Sequence, residues 1–130
     1  MPFDEWFRHA RQGHRCVVFS DPTYNAETRG FQTIEIRFRL SPEGGPPQLE
    51  YVSTFRWFRE DDFDVDTNWE FDERGELCCY SQAHFVAPYR PVGAAREAAL
   101  SVLRNLYETW LTFREFYRVE YPDEEEAQTG

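Results

Sequence analysis

Asp62-Phe63-Asp64-Val65-Asp66-Thr67-Asn68-Trp69-Glu70-Phe71-Asp72 alternates along its whole length: Phe63, Val65, Thr67, Trp69 and Phe71 share one parity, while Asn68 and the acids hold the other. Successive side chains of a strand point to opposite faces, so the stretch predicts a strand with one apolar and one charged face. The apolar face has to be covered, and that need sets the fold class. Downstream, Asp72-Glu73-Arg74-Gly75 reads as a turn and Leu77 to Val86 as the returning strand of a hairpin. Upstream, Ile34, Ile36, Phe38 and Leu40 alternate with Thr33, Glu35, Arg37 and Arg39, and Leu49 to Phe58 carries Leu49, Tyr51, Phe55 and Trp57 on one parity. The breaker-rich stretch Ser41 to Gln48 joins these two as a long hairpin loop. With His14 to Ser20, about five strands are expected, most simply as an antiparallel meander.

The pattern changes beyond Pro88 and Pro91. From Val92 to Arg118, Ala95, Ala99, Val102, Leu106, Trp110, Phe113 and Tyr117 recur at steps of three or four, and Leu103, Tyr107 and Leu111 widen the stripe. A helix of about 24 residues would run about 36 Å, enough to cross such a sheet. Phe3, Trp6, Phe7 and Ala10 mark a short N-terminal helix that stops at Gly13. The expected fold is therefore α+β in two layers: a mostly antiparallel sheet of about five strands packed against a long C-terminal helix, with a short N-terminal one. Residues 1–122 are expected to form this single domain, with residues 123–130 expected to be an acidic, disordered tail. In this reading Phe63, Val65, Trp69 and Phe71 face the same core as Val102, Leu106 and Phe113.

The chain of 130 residues has a formal charge of −10, unevenly spread. Nine acids against Arg74 fall between Glu60 and Glu76, five more lie between Glu120 and Glu126, and the remainder is slightly basic. A field of that sign repels nucleic acid and anionic lipid and attracts basic partners. Every basic residue is Arg, so lysine Schiff-base chemistry is excluded. The start Met1-Pro2-Phe3-Asp4-Glu5 has no signal-peptide character, no apolar run reaches membrane-spanning length, and three cysteines, two of them adjacent, argue against a disulfide scaffold. A cytoplasmic protein is expected, with neither membrane nor direct nucleic-acid binding.

Same-face residues of a strand lie about 6.6–6.8 Å apart, so Asp62, Asp64, Asp66 and Glu70 are expected to form one line of carboxylates. Asp62-x-Asp64-x-Asp66 with Glu73 imitates EF-hand spacing, but the obligatory glycine is Thr67 and the flanks read as strands. His9, His14, Cys16, Cys78, Cys79 and His84 offer zinc ligands without a zinc-spaced cysteine pair. Cys78 and His84 would stand about 20 Å apart on one extended strand, too far for a nucleophile–base dyad. No serine elbow, phosphate loop or zinc-protease motif occurs. No metal or cofactor is expected, and a non-catalytic role is favoured over an enzyme.

In size and charge the chain resembles small acidic inhibitory or immunity-type proteins, which bury a charged patch against a partner's basic site. The reading that follows is a protein-binding or inhibitory domain whose acidic strand, through Asp62, Asp64, Asp66, Asn68, Glu70 and Asp72 with neighbouring Trp57, recognises a basic surface. The partner could itself be a nucleic-acid-binding protein, and pairing as a homodimer stays open. The alternative is a small enzyme or small-ligand-binding domain with a pocket between the sheet and the long helix. The strand acids, held in register, are expected to matter more for binding than the tail.

Overall fold

The alternating stretches are strands in the computed structural model, which describes residues 3–10, 13–27, 30–82 and 87–122. β1 (Cys16–Ser20), β2 (Thr33–Arg39), β3 (Gln48–Arg59), β4 (Asp62–Phe71) and β5 (Leu77–Gln82) pair in succession, each antiparallel to the next. A sixth strand, β6 (Arg118–Glu120), pairs with β1, giving the sheet order β5-β4-β3-β2-β1-β6. The expected return strand to Val86 is described as far as Gln82; residues 83–86, including His84, lie outside the described residues, as does the 123–130 tail.

One face of the sheet is covered by α1 (Asp4–Ala10) and α2 (Gly93–Phe113). Val17, Phe19, Ile34, Ile36, Phe38, Val52, Trp69, Leu77 and Tyr80 from the strands meet Trp6 and Phe7 of α1 and Ala99, Leu103 and Trp110 of α2. The two-layer α+β arrangement is thus the one the alternation requires. Trp69 fixes the register of helix on sheet: its indole Nε1 donates to the Ala99 carbonyl at 2.9 Å. α1 lies in the same layer as α2. Trp6 stacks on Phe3 at 5.1 Å and meets Tyr107 and Trp110 edge-on at 5.0 and 5.9 Å. These contacts favour the Leu103/Tyr107 side of α2, so Val102 and Phe113, expected in the core, are exposed instead.

Helix α2 ends at Phe113, earlier than the sequence pattern suggests. A 3₁₀ turn, Arg114–Phe116, follows, and Tyr117 takes up extended backbone to lead into β6. The missed signal is a change of period: Tyr117, Val119 and Tyr121 alternate with Arg118 and Glu120 before Pro122. Tyr117 is half-buried, and burial together with the charge of Asp21 pushes its phenol up to about 12. An unfolded tyrosine ionises near pH 10. The folded protein therefore holds the proton longer, and its stability is expected to fall as pH rises from about 10 to about 12. Chemical denaturation across that window should show a smaller decline for Tyr117→Phe than for the unaltered chain. An equal decline in both would remove Tyr117 as the cause.

Candidate functional site: the tip of the β3–β4 hairpin

The β3–β4 pairing is not uniform. Val52 stands opposite Trp69, Ser53 opposite Asn68 and Thr54 opposite Thr67, but the next pair is Phe55 with Val65. Asp66 is the extra residue of a β-bulge. Thr54 is buried in the helix-covered side, so Phe55, the next residue of β3, points to the other face, and its partner Val65 goes with it. The first half of β4 is in this way turned over relative to the second. Phe63, placed in the core by simple alternation, is 43% exposed and belongs to a separate cluster. It stacks on Phe55 at 5.8 Å and lies against Trp57 at 4.9 Å.

The same bulge breaks the expected line of carboxylates. Asp62 and Asp64 stand opposite Arg59 and Arg56, a cross-strand arrangement in which opposite charges offset one another. Asp64 also accepts the Val65 amide at 2.7 Å. Asp66 accepts the Gln32 side-chain amide at 3.1 Å, and Asn68 accepts the Ser53 hydroxyl. Glu70 is exposed beyond the bulge, opposite Tyr51 and Cys79. Asp72 is turned into the β4–β5 turn, where one oxygen accepts the amides of Arg74 and Glu76 at 2.9 and 3.0 Å. The Glu76 amide foremost, then that of Arg74 and the charges of Arg90 and Arg74, hold its carboxyl below the ordinary value despite some desolvation. Gly75, at φ +79°, supplies the left-handed residue this turn needs.

What the fold does bring together lies at the hairpin tip. Trp57 and Phe63 pack together there, next in the chain to the connecting acids Glu60 and Asp61; Arg56, the neighbour of Trp57 in β3, has its guanidinium 5.1 Å from the Phe58 ring. Glu60 and Asp61 are exposed and have no partner among the described residues. Trp57 is held from behind: its backbone amide donates to the Tyr24 hydroxyl at 3.1 Å. Tyr24 belongs to the β1–β2 connection, itself organised by buried Asp21. Asp21 accepts the Thr23 amide and hydroxyl at 2.9 and 2.7 Å on one oxygen and the Phe31 amide at 3.0 Å on the other. A Cβ at Gly30 would come within 2.8 Å of that second oxygen and 2.9 Å of the Tyr24 Cβ, so the close approach requires glycine.

Elsewhere on the outer face, Glu35 accepts the Tyr51 hydroxyl at 3.0 Å and the Cys16 thiol at 3.7 Å. Burial, and then the neighbouring carboxylate of Glu35, pushes the Tyr51 phenol upward. Burial first, then the hydrogen bond and charge of Glu70, raises the Cys79 thiol, the opposite of what a nucleophilic cysteine needs. His14 stacks on Tyr121 at 3.9 Å, apart from Cys78 and Cys79. Among the described residues no three His, Cys, Asp or Glu side chains converge as metal ligands, and no helix is long and apolar enough to cross a membrane.

No family model and no curated protein matches the chain. Solved structures do resemble it in fold. The hypothetical protein VC0508 from the VSP-II pathogenicity island of Vibrio cholerae superposes with a TM-score of 0.65 at 14% identity, over 91% of this chain and 90% of that one. The conserved hypothetical protein VC1805, from pathogenicity island VPI-2 of the same species, gives 0.66 at 21% identity over 92% of each chain. VC1805 is itself described as sharing structural homology with the human P32 protein. At these identities the likeness is one of fold: a six-stranded antiparallel sheet with a long C-terminal and a short N-terminal helix.

Proposed function

We propose that this chain is a non-catalytic protein-binding domain, of inhibitory type, that recognises a basic partner surface with the tip of the β3–β4 hairpin. The observation that carries the reading is the exposed Phe63, stacked on Phe55 and tilted against Trp57 on the face away from the helices. An aromatic group left outside the core while a bulge is spent to keep it there is a suitable anchor, since interface energy concentrates in such side chains. Glu60 and Asp61 supply the sign of the partner, by steering association, and the aromatics supply the affinity. Asp62 and Asp64, offset by Arg59 and Arg56, contribute less than an unbroken stripe would. A cytoplasmic setting fits Cys16, Cys78 and Cys79, which form no disulfide among the described residues.

The test uses a partner captured on the intact protein and two tip variants, Glu60→Gln with Asp61→Asn and Trp57→Ser with Phe63→Ser. The first is expected to slow association and lower its salt dependence; the second is expected to speed dissociation at least tenfold. If neither pair changes binding, the tip is a solvated hairpin end.

A further inference from the structure

At the opposite end of the hairpin from this tip, α1, α2, the β2–β3 loop and the β4–β5 turn enclose a cleft of about 590 Å³. Its walls are apolar: Phe3 and Phe7 on one side, Leu49 and Phe71 on the sheet, Leu100 on α2, with Pro47 closing the loop side. Each of these except buried Phe7 is half-buried, as the lining of an open cleft should be. The volume lies within the range of small-molecule sites. None of the hairpin-tip aromatics takes part, so the site stands independently of the reading above.

Charge distinguishes this cleft from the rest of the molecule. The chain as a whole is strongly acidic, yet among the described residues the ionised side chains lining the cleft are Arg74, Arg104 and Asp4, an excess of one positive charge. Arg104 is exposed on α2 and has no carboxylate partner among the described residues. Arg74 stands on the turn beside Asp72. A guanidinium presents a planar fork of donors that matches a carboxylate in two parallel hydrogen bonds. Apolar walls with arginines at the margin suit a ligand with an apolar body and one anionic head. A purely polar anion would leave the phenylalanine and leucine walls unused, and an amphipathic cation would meet two like charges.

We propose that the cleft binds a small amphipathic carboxylate, its aliphatic or aromatic body against Phe7, Leu49, Phe71 and Leu100 and its head on Arg104 with Arg74. A tail of roughly ten carbons suits the volume.

Isothermal titration of the intact chain with decanoate, decanol and decylammonium tests this, with amide chemical shifts locating the site. Decanoate is expected to bind saturably at one site and to shift the Phe71 and Leu100 amides, with decylammonium at least tenfold weaker. Arg104→Gln should weaken decanoate about tenfold and leave decanol unchanged. Leu100→Trp, which fills the cleft, should weaken both. Equal affinity for decanoate and decylammonium, no saturable decanoate binding, or an Arg104→Gln variant that binds decanoate normally would each overturn the proposal. Because Arg104 is exposed, that variant remains informative even if Leu100→Trp fails to fold.

Discussion

Trp69→Ala is expected to destabilise the protein by about 3 to 5 kcal/mol, the range for emptying a buried aromatic site. Trp69 is 1% exposed, packs against Tyr80 at 5.8 Å, and gives its only side-chain N–H to the Ala99 carbonyl. Small domains are stable by only about 5 to 15 kcal/mol, so the variant should unfold at much lower denaturant, or fail to fold at 37 °C. Trp69→Phe keeps most of the ring but loses the indole hydrogen bond, and an intermediate loss is expected. Phe63→Ala, two turns of the same alternation away from the residues beside Trp69, should cost under about 1 kcal/mol because the bulge has carried it outside. Urea unfolding of the three variants checks this. Equal losses for Trp69→Ala and Phe63→Ala would mean that β4 keeps one face throughout and that the bulge at Asp66 is wrongly placed.

The second large effect is expected at Asp21. Its carboxylate accepts three hydrogen bonds and closes the β1–β2 connection, so Asp21→Ala leaves the Thr23 and Phe31 amides without their acceptor. A loss of about 3 kcal/mol follows for hydrogen bonds to a buried charge. Burial works to raise the Asp21 carboxyl, but the Phe31 amide and the Thr23 hydroxyl and amide outweigh it and set the pKa below the ordinary 3.8. The sign is then fixed: this contribution is fully present above pH 3.8 and is lost as pH falls through the lower folded value. Asp21→Ala should flatten the acid limb of the stability profile accordingly. It should also speed hydrogen exchange at the Trp57 amide, whose acceptor Tyr24 sits in the connection Asp21 holds. Unchanged exchange at Trp57 would show that the tip does not depend on this knot.

The sheet was legible in sequence wherever alternation and pairing agree. Ile34, Ile36 and Phe38 are core residues as their parity requires, and so is Trp69. The bulge was not legible, because one extra residue at Asp66 leaves the written alternation of Phe63, Val65 and Thr67 intact while reversing the faces on either side of it. For the same reason the carboxylate line dissolved. β6 was hidden because Tyr117 fits both the helical stripe and a strand parity, and α2 was rotated from its expected face by contacts with α1 that no local window contains. Trp57 stands out in the sequence, but alternation alone assigns its partner Phe63 to the core. The arginine-edged cleft draws on four separated segments, none with a motif of its own.

In the function we propose, the β3–β4 tip binds a basic partner through exposed aromatics, with association steered by Glu60 and Asp61. Its most direct test is the association and dissociation rate of the captured partner measured against salt for the intact chain and the two tip variants, with circular dichroism confirming that each is folded. A shallower salt slope of association is expected for Glu60→Gln with Asp61→Asn, and faster dissociation at unchanged salt slope for Trp57→Ser with Phe63→Ser. Rates and slopes identical to those of the intact chain in both folded variants would contradict it.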